Sequence, residues 1–181
     1  VYLVGDSHAG VLMFDLIKRL NEKKINLTSM TGPGKILKTY QFDKREELYQ
    51  NIRLKELKDI KNSTIVINGF YNSKKIKFNF EKEIDGHQKL FKHLIKNNNH
   101  IILLKPNPIV TNLLWNEGKS FIGRKVDIAN LKIPKQKYLS SLADTNEFFK
   151  NLNIKEITII DVSEIFCDKK WCYVSRNNHI L

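Results

Sequence analysis

The residues best suited to chemistry stand at the start of the chain. There the apolar run Val1-Tyr2-Leu3-Val4 leads through Gly5 into Asp6-Ser7-His8 and on into the apolar stretch from Val11 to Leu20. A strand that turns sharply into a helix places a small residue such as Gly5 at the bend. It also brings Ser7 to the first helical positions, beside backbone N–H groups that have no partner within the helix. A hydroxyl so placed could act as a nucleophile. The same N–H groups, with the positive end of the helix dipole, could hold the oxyanion that forms when an alkoxide attacks an ester carbonyl. Asp and Ser are also favoured helix caps, so Asp6 or Ser7 could equally do no more than close a helix end.

The elements that must position this turn are legible as hydrophobic periodicity. Apolar runs predict strands over residues 1–5, 25–30, 64–67, 100–104 and 156–161. Helical spacing predicts a helix over 9–24 through Leu12, Leu16, Ile17 and Leu20, and one over 45–60 through Leu48, Ile52, Leu57 and Ile60, whose lysines and glutamates form a solvated face. Further helices are expected over 83–97, through Ile84, Leu90, Phe91, Leu94 and Ile95, and over 137–151. Residues 106–134 read as a long irregular stretch. The alternation implies an α/β fold: a mostly parallel sheet covered by helices on both faces, with right-handed crossovers. Ligands bind such sheets outside the carboxyl ends of the strands, near the topological switch point. Ser7, Gly32, Asn68 and Pro106 each follow a strand end and should meet at one edge. Trp115, Phe121 and Arg124 of the long loop lie on the same side and could cover a substrate or stack on a sugar ring, with packing onto the core as the other reading.

With 181 residues and 41% hydrophobic content, the chain suits one compact domain with a sizeable core. No apolar run approaches the ~20 residues that span a bilayer, and no signal peptide opens the sequence, so an anchor or export signal would lie outside these residues. A net charge of +12 raises the question of nucleic acid. The lysines are spread over every helix and loop, however, and no nucleic-acid motif accompanies them, so no nucleic-acid partner is expected. A basic surface could still help hold an anionic membrane or envelope polymer. Gly32-Pro33-Gly34-Lys35 is no phosphate loop, because Ile36 stands where Ser or Thr should follow and Ser29 where the first glycine belongs. No cofactor is expected. Nor is a metal, since two cysteines without a nearby histidine pair cannot complete a structural zinc site.

Gly5-Asp6-Ser7-His8 resembles the first motif block of the SGNH (GDSL-like) hydrolases, in the version found in SGNH domains attached to membrane acyltransferases. Ser29-Met30-Thr31-Gly32-Pro33-Gly34 is similar to the loop after the second strand that gives that family a second oxyanion donor. Lys105-Pro106-Asn107-Pro108 resembles their proline-containing strand end. Ile159-Ile160-Asp161-Val162-Ser163, followed by Cys167 and Cys172, resembles the strand and small cysteine loop before their final catalytic block. The resemblance implies a flavodoxin-like three-layer SGNH fold with a central five-stranded sheet. It implies Ser7 as the residue that carries the acyl group, with Gly32 and the Ser7 N–H as oxyanion donors. It further implies an O-acetyltransferase or acetylesterase acting on a cell-envelope polysaccharide such as lipopolysaccharide. Its partners would be an acylated donor, a sugar acceptor and a membrane acyltransferase domain, fused or associated. Its place would be extracytoplasmic, tethered through a region outside this chain. A non-catalytic carbohydrate-binding domain that keeps the fold is the alternative.

Two departures from the family pattern bear on the site. The usual Gly-x-Asn-Asp block is replaced by Asn68-Gly69-Phe70-Tyr71-Asn72, where Asn68 or Asn72 could point an amide into the site and a turn role for the Asn-Gly pair is the other reading. Acyltransferase-linked members often lack this asparagine as well. The Asp-x-x-His block that supplies the base is also missing. Of the five histidines, His8, His87, His93, His100 and His179, the last alone lies in the right region, and Arg176-Asn177-Asn178 precedes it. The resemblance places the missing block just beyond Leu181. Residues 1–181 are thus expected to be a single SGNH-type domain cut before its base, with His179 as the fallback. His8 is poorly placed to serve Ser7, because neighbouring helix residues diverge by about 100°. Cys167 and Cys172 are spaced so that a small disulfide could close, implying an oxidising compartment, with two reduced thiols as the other reading.

Overall fold

Five short strands gather the apolar runs of the sequence into one parallel sheet: β1 (Tyr2–Gly5), β2 (Thr28–Thr31), β3 (Thr64–Asn68), β4 (His100–Leu104) and β6 (Thr158–Ile160), in the spatial order β2-β1-β3-β4-β6. The computed structural model describes residues 1–40, 44–69, 71, 79–108, 132–173, 175–176 and 179–180. The chain divides into two units, one of Val1–Pro106 with Asp144–Ile160 and one of Asn107–Ala143 with Asp161–Leu181. The sheet belongs wholly to the first. Its register aligns Thr31, Gly5, Asn68, Leu104 and Ile160 in a single row across all five strands. From β1 the chain moves outward to β2, then returns across β1 to β3, so the switch point lies between β1 and β3.

Alternate strand residues point to opposite faces. Val4, Ile65, Ile67, Ile101 and Leu103 meet Leu57 of α2 (Lys44–Asp59), Phe91 and Leu94 of α3 (Phe80–Lys96), and Phe148 of α5 (Ala143–Leu152). Leu3 and Val66 on the other face meet Ala9, Leu12, Met13 and Leu16 of α1 (Ser7–Asn21). The sequence expectation of a five-stranded sheet between helical layers is met, and every pairing in it is parallel. Tyr71 stacks on Phe148 with centroids 4.6 Å apart, and His87 meets the same ring edge-on at 5.0 Å.

Three details differ from the sequence expectation. Residues 25–27 precede β2 rather than join it, because Lys24 turns left-handed (φ 57°) and the Ile25 N–H closes back on the Leu20 carbonyl as a helix cap. The helix expected over 137–151 is two, α4 (Lys135–Ser141) and α5, parted at Leu142. Tyr138 of α4 is buried in the second unit, whereas Phe148, Phe149 and Leu152 of α5 are buried in the first. The third concerns α2, whose expected apolar face is buried at Leu57 and Ile60 but not at its start: Leu48 is 73% and Ile52 49% exposed, while Gln50 and Arg53 are buried.

In the second unit β5 (Lys132–Pro134) pairs antiparallel with β7 (Trp171–Tyr173), and β8 (Ser175–Arg176) with β9 (His179–Ile180). A single-turn helix α6 (Ser163–Phe166) leads to Cys167, which is disulfide-bonded to Cys172. Inside that loop the Asp168 carboxylate accepts the N–H groups of Lys170 and Trp171, each at 2.7 Å, and the Tyr173 hydroxyl at 2.8 Å. Those donors favour the ionised form and pull Asp168 down to about 2.

Gly5 has φ 152°, and an added Cβ would lie 1.8 Å from the Asn68 carbonyl oxygen and 2.9 Å from the Ala9 Cβ. Gly5→Ala is therefore expected to cost more than about 4 kcal/mol in urea unfolding. Gly34→Ala, at φ 65° with open space around it, should cost only about 1–2 kcal/mol; equal losses would refute the close packing at Gly5. For Asp168 the folded value lies below the unfolded one. Its contribution to loop order is thus present above about pH 4 and lost as pH falls through about 2. A carboxyl-detected NMR titration should find its midpoint near 2, with the Lys170 and Trp171 amides moving in step; a midpoint near 4 would contradict the bonding.

Candidate functional site

The turn after β1 is built by glycine and completed by aspartate. Asp6 is buried, and its carbonyl accepts the first helical bond of α1 from the Gly10 N–H at 3.1 Å. The N–H groups of Ser7, His8 and Ala9 therefore go unused within the helix. Ser7, the first residue of α1, is exposed. Its hydroxyl thus stands at the positive end of the helix.

One strand away, on the β2 side, the chain leaves Thr31 through Gly32, Pro33 and Gly34. The Gly32 N–H donates to the Gly5 carbonyl at 3.2 Å, so this candidate oxyanion donor is engaged as the last rung between β1 and β2. On the β3 side Asn68 shares a row with Gly5 and is buried, and its Oδ1 has no hydrogen-bond partner among the described residues. Pro106 lies two residues beyond Leu104, after Lys105 has donated to the Ile160 carbonyl at 3.0 Å. Ser7, Gly32, Asn68 and Pro106 thus follow the carboxyl edge of one sheet, with Ser7 and Asn68 flanking the switch point.

The loop after β2 runs inward, burying Ile36 and Leu37, and a buried loop must find partners for its backbone. Helical side chains provide them. Arg53 donates to the carbonyls of Lys35 (2.9 Å) and Gly5 (3.3 Å) and to the Tyr49 hydroxyl, which in turn donates to the Met30 carbonyl at 3.4 Å. Gln50 donates to the Ile36 carbonyl at 2.8 Å and accepts from the Lys38 N–H. Glu83 of α3 accepts the N–H groups of Thr39 and Tyr40, and His87 Nδ1 lies 3.2 Å from the Thr39 hydroxyl. Gly86 leaves room for Thr39, whose Oγ1 would be 2.2 Å from a Cβ there. Sequence reasoning missed Tyr49, Gln50, Arg53 and Glu83. The one available signal was the 50, 53, 57, 60 spacing, which ends on Leu57 and Ile60 but begins with polar residues.

Three histidines are described in full in this unit, one in the core and two toward the amino edge. His87 is buried in the aromatic core, with Nδ1 2.9 Å from the Glu83 carbonyl. His93, in the last turn of α3, contacts the Lys58 carbonyl, and His100, the first residue of β4, contacts the Thr158 hydroxyl, each at 2.9 Å. Both stand toward the amino edge. His179 stands on β9 opposite Arg176. The side chains of His8 and His179 lie outside the described residues, as do Asn72, Trp115, Phe121 and Arg124. Burial and the charges of Glu83 and Asp6 push the Tyr71 phenol well above its usual range, so it remains protonated. Among the described residues no group of three His, Cys, Asp or Glu could hold a metal ion, and no helix is long and apolar enough to cross a membrane.

The fold agrees with what the chain is similar to. No match is found among curated proteins. Among solved structures, the periplasmic domain of a lipopolysaccharide acetyltransferase from Salmonella ser. Paratyphi A has a similar fold, with a TM-score of 0.60 and 18% identity over 98% of this chain and 71% of that one. The family model of the SGNH domain found fused to AT3 domains matches residues 1–181, and the chain belongs to that family.

Proposed function

We propose that Ser7 carries an acyl group, making this domain an O-acetyltransferase or acetylesterase that acts on a cell-envelope polysaccharide. The observation that carries the reading is the exposed Ser7 hydroxyl at the first position of α1, on the carboxyl edge beside the switch point. Membership in the SGNH family supports acyl chemistry, and the acetyltransferase neighbour supports a lipopolysaccharide-type acceptor.

In the first half-reaction Ser7 Oγ bonds to the carbonyl carbon of the acylated donor. The hydroxyl proton passes to an imidazole outside the described side chains, either His179 or an Asp-x-x-His block beyond residue 181. The carbonyl oxygen becomes an oxyanion facing the first N–H groups of α1, with Gly32 as second donor once its rung to Gly5 opens. Asn68 stands across the switch point as a substrate contact. Collapse of the intermediate breaks the donor C–O bond, and the departing oxygen takes the proton. A sugar hydroxyl then attacks the acyl-serine and restores Ser7, or water does so in the esterase reaction.

The fusion named in the family description supports an AT3 domain as the source of the acyl group. The periplasmic neighbour supports an extracytoplasmic place, with membrane tethering through that partner.

The test is hydrolysis of a chromogenic acetyl ester by the full polypeptide that carries this domain, compared with Ser7→Ala. The variant is expected to lose at least about 1,000-fold in kcat/KM with an unchanged melting temperature. Equal rates would remove Ser7 from the chemistry. Transfer is then read by mass spectrometry, as an added acetyl group on an envelope saccharide supplied as acceptor.

A further inference from the structure

We propose that Arg53, seated against Tyr49, is a positioning residue that holds the nucleophile turn and the glycine loop in one geometry. The proposal rests on the assignment of Ser7 given above and names what fixes its surroundings. Arg53 is 2% exposed, on the inner face of α2. Its guanidinium reaches three acceptors that belong to different parts of the site. One is the Gly5 carbonyl, two residues before Ser7; another is the Lys35 carbonyl, which ends the glycine loop; the third is the Tyr49 hydroxyl. The guanidinium carbon also lies 4.3 Å from the Tyr49 ring centre. Tyr49 continues the link, since its hydroxyl donates to Met30 on β2 and sits 3.2 Å from where a Gly32 Cβ would be.

Two features argue for positioning beyond stability. A buried cation is costly to desolvate, and Arg53 leaves its Nε without a partner among the described residues, so its place follows from the two carbonyls that it reaches and not from packing alone. The Gly5 carbonyl also takes two donors, Arg53 and the Gly32 N–H. When Gly32 turns toward an oxyanion, Arg53 keeps that buried carbonyl bonded. Lysine cannot do this and also hold Lys35, because a single ammonium lacks the planar fork that spans both acceptors.

The test measures phosphonylation of Ser7 by a fluorophosphonate in the full polypeptide, well below the melting temperature. Arg53→Met is expected to slow labelling about 100-fold, the scale of a misplaced reacting group, with Arg53→Lys intermediate. Leu57→Ala, a core truncation on the same helix, should lower the melting temperature yet leave labelling within about twofold. Losses that simply track melting temperature across all three variants would overturn the proposal. A second measurement does not need Ser7 to react: hydrogen exchange of peptides covering residues 5–9 and 31–36 should quicken in Arg53→Met while the remaining strands stay protected. Unchanged exchange there would overturn the positioning role. A wild-type serine that never labels would instead count against the proposed function, leaving the exchange result to decide on Arg53.

Discussion

A backbone carbonyl, not a side chain, sits at the centre of this molecule. Gly5 ends β1 in a conformation that leaves no space for a Cβ against the backbone of Asn68, its neighbour at the end of β3. The same residue offers its carbonyl to the Gly32 N–H on one side and to Arg53 from α2. Three elements therefore converge on one peptide group, directly before the serine. Moving Gly5 would at once tilt α1, loosen the end of β2 and unseat Arg53, so the position of the hydroxyl is set by the sheet and not by its own helix alone.

The loop after β2 shows how an irregular segment can be made as fixed as a strand. It buries Ile36 and Leu37, and buried backbone without a ladder must be satisfied by side chains. Arg53, Gln50 and Glu83 supply those bonds from two helices, and each reaches backbone atoms of the loop. Backbone partners do not change with local sequence, so the clamp holds the path of the chain whatever side chains line it. Loop backbone bonded in this way keeps one path where a solvated loop would wander.

How far the sequence revealed this follows from the range of the interactions. The turn at Gly5–Ser7 was legible because its cause is local: a glycine, a capping residue and the start of an apolar helix within a few positions. The three inner strands, β1, β3 and β4, were legible because parallel strands covered on both faces leave unbroken apolar runs. The inner face of α2 was not. Leu48 and Ile52 sit at helical spacing yet face outward, while Gln50 and Arg53 turn inward for carbonyls 14 to 48 residues away in sequence. Polar residues buried for the sake of distant backbone carry no periodic mark. The break at Leu142 was hidden for a similar reason, since it follows from α4 and α5 belonging to different units.

The sheet edge holds some of the parts that the proposed acyl chemistry needs and not others. The turn provides a hydroxyl and unused N–H groups, which are the parts that bind and stabilise negative charge. It does not provide a proton acceptor from the described side chains. Tyr71 is held protonated by burial and by the carboxylates of Glu83 and Asp6, and His87 has its Nδ1 committed beside Glu83 and Thr39. A serine of ordinary acidity in such a place stays a hydroxyl until an imidazole approaches it. On the proposed function, placing Ser7 and activating it are thus separate structural tasks. The first would fall to Gly5, Arg53 and α1 of the sheet unit, and the second to the base that takes the hydroxyl proton.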